Sequence, residues 1–326
     1  MFIVSQNQPL PSQLRGGVVA IGNFDGVHRG HQALLARAKA IAASEGKPWG
    51  VICFEPHPRT FFRPTQPVFR LTQEALKLRL FSALGLDFAS VVPFTAELSA
   101  LSAEAFIAQE LTARLGVTHV VAGFDFHFGA GRKGHADTIR AAGLKVEVID
   151  EVTDERAGHI AFSSSNIRNS LRQGQVRQAA LELGYDWIIS GVVVPGDQRG
   201  RTIGFPTANL VVDPGVEPAR GIYATLVREV GKPSPVWMGA GYFGDRPTFN
   251  TNRTFLEVYL LDQTLDLYGR ELMVSFVDLI RPDQSFTSVA ALVGQMQRDC
   301  EGARQILSAY KPADFPLARL QAAGKI

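Results

Sequence analysis

The sequence predicts two domains: an N-terminal α/β domain built on a parallel sheet, and a C-terminal small antiparallel β-barrel with a closing helix. Three observations lead there. The chain has 326 residues, 46% of them hydrophobic, more than the roughly 250–300 residues at which single cores stop growing. Short apolar runs alternate with helical periodicity up to about Asp150, the pattern of a parallel sheet with helices on both faces. From about Ile188 the pattern changes to short strands separated by glycine and proline turns, as a closed antiparallel domain requires.

In the first domain, strands are expected over 18–21, 50–54, 89–94, 119–122 and 146–149, with helices starting near Arg29, Thr72 and Ser102. Two short helices follow, from Ser164 or Ser165 to Gln173 and from Gln175 to Leu183, with glycines where a left-handed cap is wanted. Barrel strands are expected over 191–194, 208–212, 222–230, 236–239, 255–261 and 272–279. A helix from about Ser288 to Ala309 closes the domain, and the segment from Lys311, with its two prolines, reads as a mobile tail. The expected divisions are therefore 1–184, 185–310 and a tail over 311–326.

Composition narrows the function. Lys and Arg number 33 against 31 Asp and Glu, a formal net charge of +2, which argues against a nucleic-acid partner. Cys53 and Cys300 have no partners at metal-ligand spacing, which fits a reducing, cytoplasmic setting. No stretch approaches the ~20 apolar residues of a membrane helix, and the start lacks a targeting pattern. A soluble protein with no membrane partner is expected; its oligomeric state is not legible.

Ligands of parallel sheets gather at the carboxyl ends of the strands. Three motifs begin where a predicted strand stops: Gly22-Asn23-Phe24-Asp25-Gly26-Val27-His28-Arg29-Gly30-His31, Phe54-Glu55-Pro56-His57-Pro58 and Gly123-Phe124-Asp125-Phe126-His127-Phe128-Gly129. His28 and His31, three apart at a helix start, can face one ligand, and the helix N-terminus favours an anion. Imidazoles there suit charge developing at an α-phosphorus, the requirement of nucleotidyl transfer. The hydroxyls of Ser163, Ser164 and Ser165 at a second helix start, followed by Arg168, are suited to grip the same phosphates.

Gly129-Ala130-Gly131-Arg132-Lys133-Gly134 spells a dinucleotide fingerprint, but the helical stretch after it is short and it does not open the first strand-helix unit. A loop carrying Arg132 and Lys133 to phosphate is the better reading. His57, between two prolines, has two readings that stay open: a ligand, or a brace for a rigid loop. His119, His135 and His159 belong to no constellation.

A second phosphate-handling stretch is Gly196-Asp197-Gln198-Arg199-Gly200-Arg201-Thr202-Ile203-Gly204-Phe205-Pro206-Thr207-Ala208-Asn209. It is neither a Walker loop nor a kinase glycine-rich loop, because its glycines recur every fourth residue. A strand points Thr207 and Asn209 to one face, where a hydroxyl and an amide oxygen can complete the shell of a Mg²⁺ that otherwise keeps water and phosphate ligands. Glu257, the one carboxylate in Phe255-Leu256-Glu257-Val258-Tyr259-Leu260-Leu261, is the candidate base. Alternation puts it on the face opposite Leu256, Val258 and Leu260.

With these motifs in view, the chain resembles the bacterial FAD synthetases fused to riboflavin kinase. Residues 22–31 resemble the HxGH signature of nucleotidylyltransferases, 163–168 their second signature, and Pro206-Thr207-Ala208-Asn209 the PTAN motif of riboflavin kinases. The resemblance spans about Gly17 to Tyr310. It implies a Rossmann-like nucleotidylyltransferase domain making FAD from FMN and ATP, and a barrel making FMN from riboflavin and ATP, with Mg²⁺ accompanying the nucleotide. Carried over residue by residue, it makes Glu257, His28, His31 and Arg168 catalytic. Gly22, Asn23, Phe24, Asp25, Ser163, Ser164, Ser165, Arg132, Gly196, Arg201 and Gly204 become nucleotide contacts. Phe54, His57, Asp125, Phe128 and Arg281 become flavin contacts, and Thr207 and Asn209 metal ligands. The pattern is broken in three places: His127 replaces an expected arginine, Ser165 a threonine, and Tyr242-Phe243 the Asn-Ile of an Asn-Ile-Gly before Arg246-Pro247-Thr248-Phe249.

Overall fold

A computed structural model describes residues 1–4, 8–154, 160–196, 199–231, 235–246 and 253–326. The chain packs as two compact units, Met1–Val68 with Glu74–Ser163 and Ile326, and Phe69–Gln73 with Ser164–Lys325.

The first unit is a parallel sheet of β1 (Phe2–Val4), β2 (Val18–Ile21), β3 (Trp49–Glu55), β4 (Phe88–Pro93), β5 (His119–Gly123) and β6 (Lys145–Ile149) in the order β1-β4-β3-β2-β5-β6. Its helices are α1 (Arg29–Glu45), α2 (Pro58–Phe62), α3 (Glu74–Leu84), α4 (Ala96–Ala100), α5 (Ala103–Phe106) and α6 (Ala136–Ala141). Past α5 the backbone continues over Ile107–Arg114 in the wider π form. Every residue of β2 is buried, as a central parallel strand covered on both faces must be. Its neighbours are β3 and β5, so the three motif-bearing strand ends lie side by side. Two-residue strands β7 (Thr153–Asp154) and β8 (Ile160–Ala161) pair before the unit ends. The edge strand β1 is absent from the sequence-based expectation. Only Val4 of its three residues is buried, and the apolar run there is too short to announce a strand.

The second unit opens with α7 (Ser164–Arg172) and α8 (Val176–Leu183). A closed barrel follows, built of β9 (Trp187–Val194), β10 (Thr207–Val211), β11 (Gly221–Glu229), β12 (Trp237–Arg246), β13 (Arg253–Leu260) and β14 (Glu271–Pro282). All neighbours are antiparallel in the order β10-β13-β12-β11-β14-β9. A short helix α9 (Arg199–Thr202) precedes β10, and α10 (Val289–Ala309) lays Ala303 and Leu307 against Ala224, Leu261 and Val277. The strap Phe69–Gln73 joins this unit: the Leu71 carbonyl accepts from Trp187 Nε1 at 2.9 Å, and Ser190 Oγ donates to Gln73 Oε1 at 3.1 Å.

Two expectations change. β12 runs to Arg246 rather than ending at Gly239, because its glycines are fitted to the barrel rather than breaking it: a Cβ on Gly239 would stand 2.8 Å from Thr225 Oγ1 and Val258 Cγ1. The expected mobile tail instead forms α11 (Pro316–Ala322) with Leu317 wholly buried. Buried Gln321 accepts from the Asp186 N–H at 2.9 Å and donates to the Asp186 carbonyl at 3.2 Å and Ser275 Oγ at 3.0 Å, while the Tyr310 hydroxyl donates to the Asp186 carboxylate. A seven-residue helix cannot hold itself; these tertiary contacts hold it.

Candidate active sites

The turn from β2 into α1 is held in costly backbone. Phe24 and Val27 have φ of +52° and +39°, and Gly26 has +85°. For a bulky and a β-branched residue such angles persist only where the surroundings over-determine them, and they cluster at functional sites. The surroundings here are specific. Phe24 is fully buried, its ring edge-on to Phe81 at 5.6 Å and tilted against His31 at 5.2 Å. Gln32 Nε2 donates to the Val27 carbonyl at 2.8 Å. His28 caps α1, its Nδ1 accepting from the His31 N–H at 3.4 Å, and the two imidazoles stack with centroids 3.6 Å apart. Thus the turn delivers both histidines, face to face, to the positive end of a 17-residue helix. The expected Phe24 contact is modified: its side chain faces inward and supports His31.

Beneath this turn lies a buried ion pair with no sequence signature. Lys77 of α3 places Nζ 2.7 Å from Glu55 Oε1 at the end of β3, with side-chain exposures of 4% and 11%. Burial works against the Lys77 charge, but Cys53, Glu55 and Asp25 outweigh it and its pKa stands above the ordinary value. Burial pushes the neighbouring Cys53 thiol up to about 12, so it is no nucleophile. Helix α3 therefore supports the β2 turn through Phe81 and holds the end of β3 through Lys77. Spacing alone could not reveal this, since Lys77 lies 22 residues from Glu55.

Beyond β3, Phe54 meets Phe94 at 6.0 Å, and Phe61, Phe62 and Phe94 pack edge to face within 5.2–5.7 Å of one another. Phe62 is 64% exposed, an unusual position for so large an apolar ring. Phe128 is buried, stacked on Phe126 at 5.5 Å. Of these rings, sequence reading singled out Phe54 and Phe128 and passed over Phe61, Phe62, Phe94 and Phe126; the Phe61-Phe62 pair just past the His57 motif was the available signal. His57 caps α2, with Nδ1 accepting from the Arg59 N–H at 3.1 Å, which is its bracing role. Asp125 is exposed and its carbonyl lies 2.9 Å from His127 Nδ1. Residues 128–134 close on themselves through paired Phe128 and Gly134 backbone bonds, leaving Arg132 exposed. The loop starts beyond the end of β5 and closes on itself before α6, so it is not the tight strand-to-helix turn of a dinucleotide fingerprint, and that reading of its glycines fails.

Ser163 ends the first unit, while Ser164, Ser165 and Arg168 belong to α7 in the second. Arg168 is buried, and its Nε donates to the Phe69 carbonyl at 2.6 Å. At least one of its donors therefore serves the fold.

In the barrel, long-range pairing does what spacing could not. Asn209 of β10 lies opposite Glu257 of β13, and Glu257 lies opposite Tyr242 of β12. One row across three strands thus carries an amide, a carboxylate and a phenol on the same face. Thr207 Oγ1 donates to Glu257 Oε2 at 3.2 Å, and Asn209 Nδ2 to the Thr207 carbonyl at 3.2 Å. A Cβ on Gly196 would come within 2.6 Å of the Asn209 amide, so only glycine lets the preceding loop approach. Gly204, at φ +89°, turns the chain back toward β10. Thr207 also lines a cavity of about 590 Å³, with Arg201, Pro206, Leu265 and Tyr268 around it. Arg201 donates to the Tyr268 hydroxyl at 3.1 Å and lies 5.5 Å from its ring centroid. Arg281 of β14 makes two 2.8 Å bonds to buried Asp299 of α10, so its guanidinium is braced from the helix. Asp197, Gln198, His159 and Pro247-Thr248-Phe249 lie outside the described residues. Among the described residues no cluster of three or more His, Cys, Asp or Glu could hold a metal; the hydroxyl and amide of Thr207 and Asn209 are hard oxygen donors, the kind Mg²⁺ takes alongside phosphate and water.

Fold and sites together define a two-domain, nucleotide-using transferase. Comparison with known proteins narrows this. Residues 10–166 match the family described as FAD synthetase, and residues 183–307 the family described as riboflavin kinase. The chain is 40% identical over 302 residues to the bifunctional riboflavin kinase/FMN adenylyltransferase of Escherichia coli (strain K12), covering 91% of this chain and 95% of that protein. To the protein of the same name from Pseudomonas fluorescens it is 38% identical over 309 residues, 94% and 98% of the two chains. The crystal structure of a macrolide-efflux protein from Streptococcus pneumoniae is also similar, with a TM-score of 0.79 and 31% identity over 92% of this chain and 96% of that one. The chain belongs to the bifunctional riboflavin kinase/FMN adenylyltransferase family.

Proposed function

We infer that the protein makes FAD from riboflavin in two ATP-consuming steps, with the barrel as kinase and the parallel-sheet unit as adenylyltransferase. The observation that carries the kinase assignment is the Thr207, Asn209 and Glu257 cluster, whose member Thr207 also lines the cavity. In this reading Glu257 accepts the proton of the ribityl 5′-hydroxyl, and that oxygen attacks the γ-phosphorus of ATP to give FMN and ADP. Thr207 and Asn209 would hold the Mg²⁺ that neutralises phosphate charge. Gly196, Arg201 and Gly204 shape the nucleotide side, and Arg281 the flavin side.

In the adenylyl step an oxygen of the FMN phosphate attacks the α-phosphorus of a second ATP and pyrophosphate leaves. No protein nucleophile is needed, because the substrate supplies one. His28 and His31 at the α1 N-terminus stabilise the charge that builds on the α-phosphate, with the backbone of residues 22–25 and Arg132 around the nucleotide. Phe54, Phe128, Asp125 and His57 are assigned to the flavin, and the ring cluster of Phe61, Phe62 and Phe94 is added to them. Ser163, Ser164, Ser165 and Arg168 are assigned to the ATP phosphates on their place in the family's second signature alone. The efflux activity in the Streptococcus protein's name is not taken over, because both matched families and the curated relatives agree on flavin chemistry. The same reading has the enzyme at work in the cytoplasm.

The test is chromatographic. Riboflavin, ATP and Mg²⁺ are supplied and FMN and FAD are followed. His28→Ala is expected to stop at FMN, and Glu257→Ala to make FAD only from added FMN. Loss of both activities from either substitution in folded protein would sink the two-site assignment; omission of Mg²⁺ is expected to abolish FMN formation.

A further inference from the structure

We propose that Tyr242, where this chain departs from its family's pattern, is a riboflavin-specificity residue of the kinase site, its ring forming the floor on which the flavin's tricyclic ring lies. The inference rests on the assignment of Glu257 above. Three observations carry it.

The first is position. Tyr242 pairs with Glu257 across β12 and β13, on the same face and in the row that continues to Asn209. Thr207 and Asn209, the residues assigned to the metal and phosphates, lie on the β10 side of Glu257. In-line transfer brings donor and acceptor from opposite sides of the moving phosphoryl group, so the acceptor reaches Glu257 from the β12 side, where Tyr242 stands.

The second is orientation. Gly244, two residues on and therefore on the same face, leaves room that the phenol fills: a Cβ there would collide with the Tyr242 hydroxyl and ring. The ring thus lies along the strand, over bare backbone, presenting a flat face.

The third is fixation. The Tyr242 hydroxyl donates to Asp283 Oδ2 at 3.1 Å, just beyond β14. Arg281, two residues before Asp283, is itself pinned to Asp299. A flat, apolar, immobilised ring beside the base is the complement of a planar tricyclic substrate whose ribityl end must reach Glu257.

The experiment measures riboflavin phosphorylation and riboflavin binding by quenching of flavin fluorescence, which stacking on a phenol produces. Tyr242→Ala is expected to raise the riboflavin KM about tenfold and to weaken quenching, while the ATP KM stays within about twofold. Tyr242→Phe keeps the ring and should change the riboflavin KM by only about threefold. Gly244→Ala retains Tyr242 but lifts its ring, so it should reproduce the Tyr242→Ala shift; it decides the matter if Tyr242→Ala fails to fold. An unchanged riboflavin KM in both variants, or equal rises in the riboflavin and ATP KM values, would overturn the proposal. Glu257→Gln separates the two readings. If it keeps full turnover, the site assignment fails; if it loses turnover while Tyr242→Ala leaves riboflavin binding intact, only the role of Tyr242 fails.

Discussion

The groups assigned to ATP in the first unit sit on turns. Phe24 and Val27 hold φ of +52° and +39°, and His28 is a helix cap. In the barrel the corresponding groups sit on paired strands, with Asn209, Glu257 and Tyr242 in one cross-strand row. Both arrangements fix side chains, but by different means. A strained turn is local: ten consecutive residues bring His28 and His31 together, and Phe81 packed on Phe24 and Gln32 bonded to the Val27 carbonyl keep the strain from relaxing. A ladder is non-local: each side chain needs only ordinary strand geometry, and the precision comes from register, since a one-residue slip would send Glu257 to the other face.

That difference can be broken experimentally. The largest effect is expected from Glu257→Ala, which should lower riboflavin phosphorylation by about 10²–10⁴-fold and leave FMN adenylylation within about twofold; steady-state rates of both steps decide it. Next is Lys77→Met, which leaves the Glu55 carboxylate buried without its cation at a site with 4% and 11% side-chain exposure. A cost of about 3–5 kcal/mol is expected, read as a lower denaturation midpoint for loss of FMN adenylylation. Adding Glu55→Leu should restore most of it. If Lys77→Met is as stable as wild type, the Lys77–Glu55 pair does not hold the end of β3. His28→Ala is expected to reduce FMN adenylylation by about 10²–10³-fold with riboflavin phosphorylation intact. A fall in both rates would show that the two sites are not separable.

The smallest effect is a pH dependence of stability from the buried Asp186 carboxyl, which takes the Tyr310 hydroxyl. Burial raises the Asp186 pKa to about 6, the Tyr310 hydrogen bond offsetting part of it. The fold therefore favours the neutral acid. Its contribution is full below the ordinary carboxylate range and is lost as pH rises through about 6, a change of about 1–3 kcal/mol. Thermal melts of wild type should lose stability across that window, and Asp186→Asn should flatten it; an unchanged profile in the variant would count against Asp186 as the group responsible.

Legibility in the sequence follows the same divide. His28 and His31 were readable because their spacing is that of one helix turn, and the order of strands and helices because burial on two faces or one leaves a periodic trace. Phe61 and Phe62 were present as a pair but meaningless until Phe54 of β3 and Phe94, just past β4, joined them. Lys77 looked like an ordinary helix residue. Gly239 read as a strand end because its true constraint, Thr225 and Val258 on the neighbouring strands β11 and β13, is not local. The tail read as mobile because the groups that hold it, Asp186 and Ser275, lie far from it in sequence.

By itself, the sequence determined what local chemistry can determine: two domains of different class, a histidine pair at a helix start, a hydroxyl and an amide on one strand face, and a lone carboxylate on an apolar strand. Tertiary structure decided the pairing. It set Asn209 and Tyr242 on either side of Glu257, put Lys77 under the strained turn, and turned an apparent tail into a packed helix. The reason is physical: periodicity and capping act over a few residues, whereas register, ring packing and ion pairing depend on which distant segments the closed barrel and the parallel sheet bring within a few ångströms.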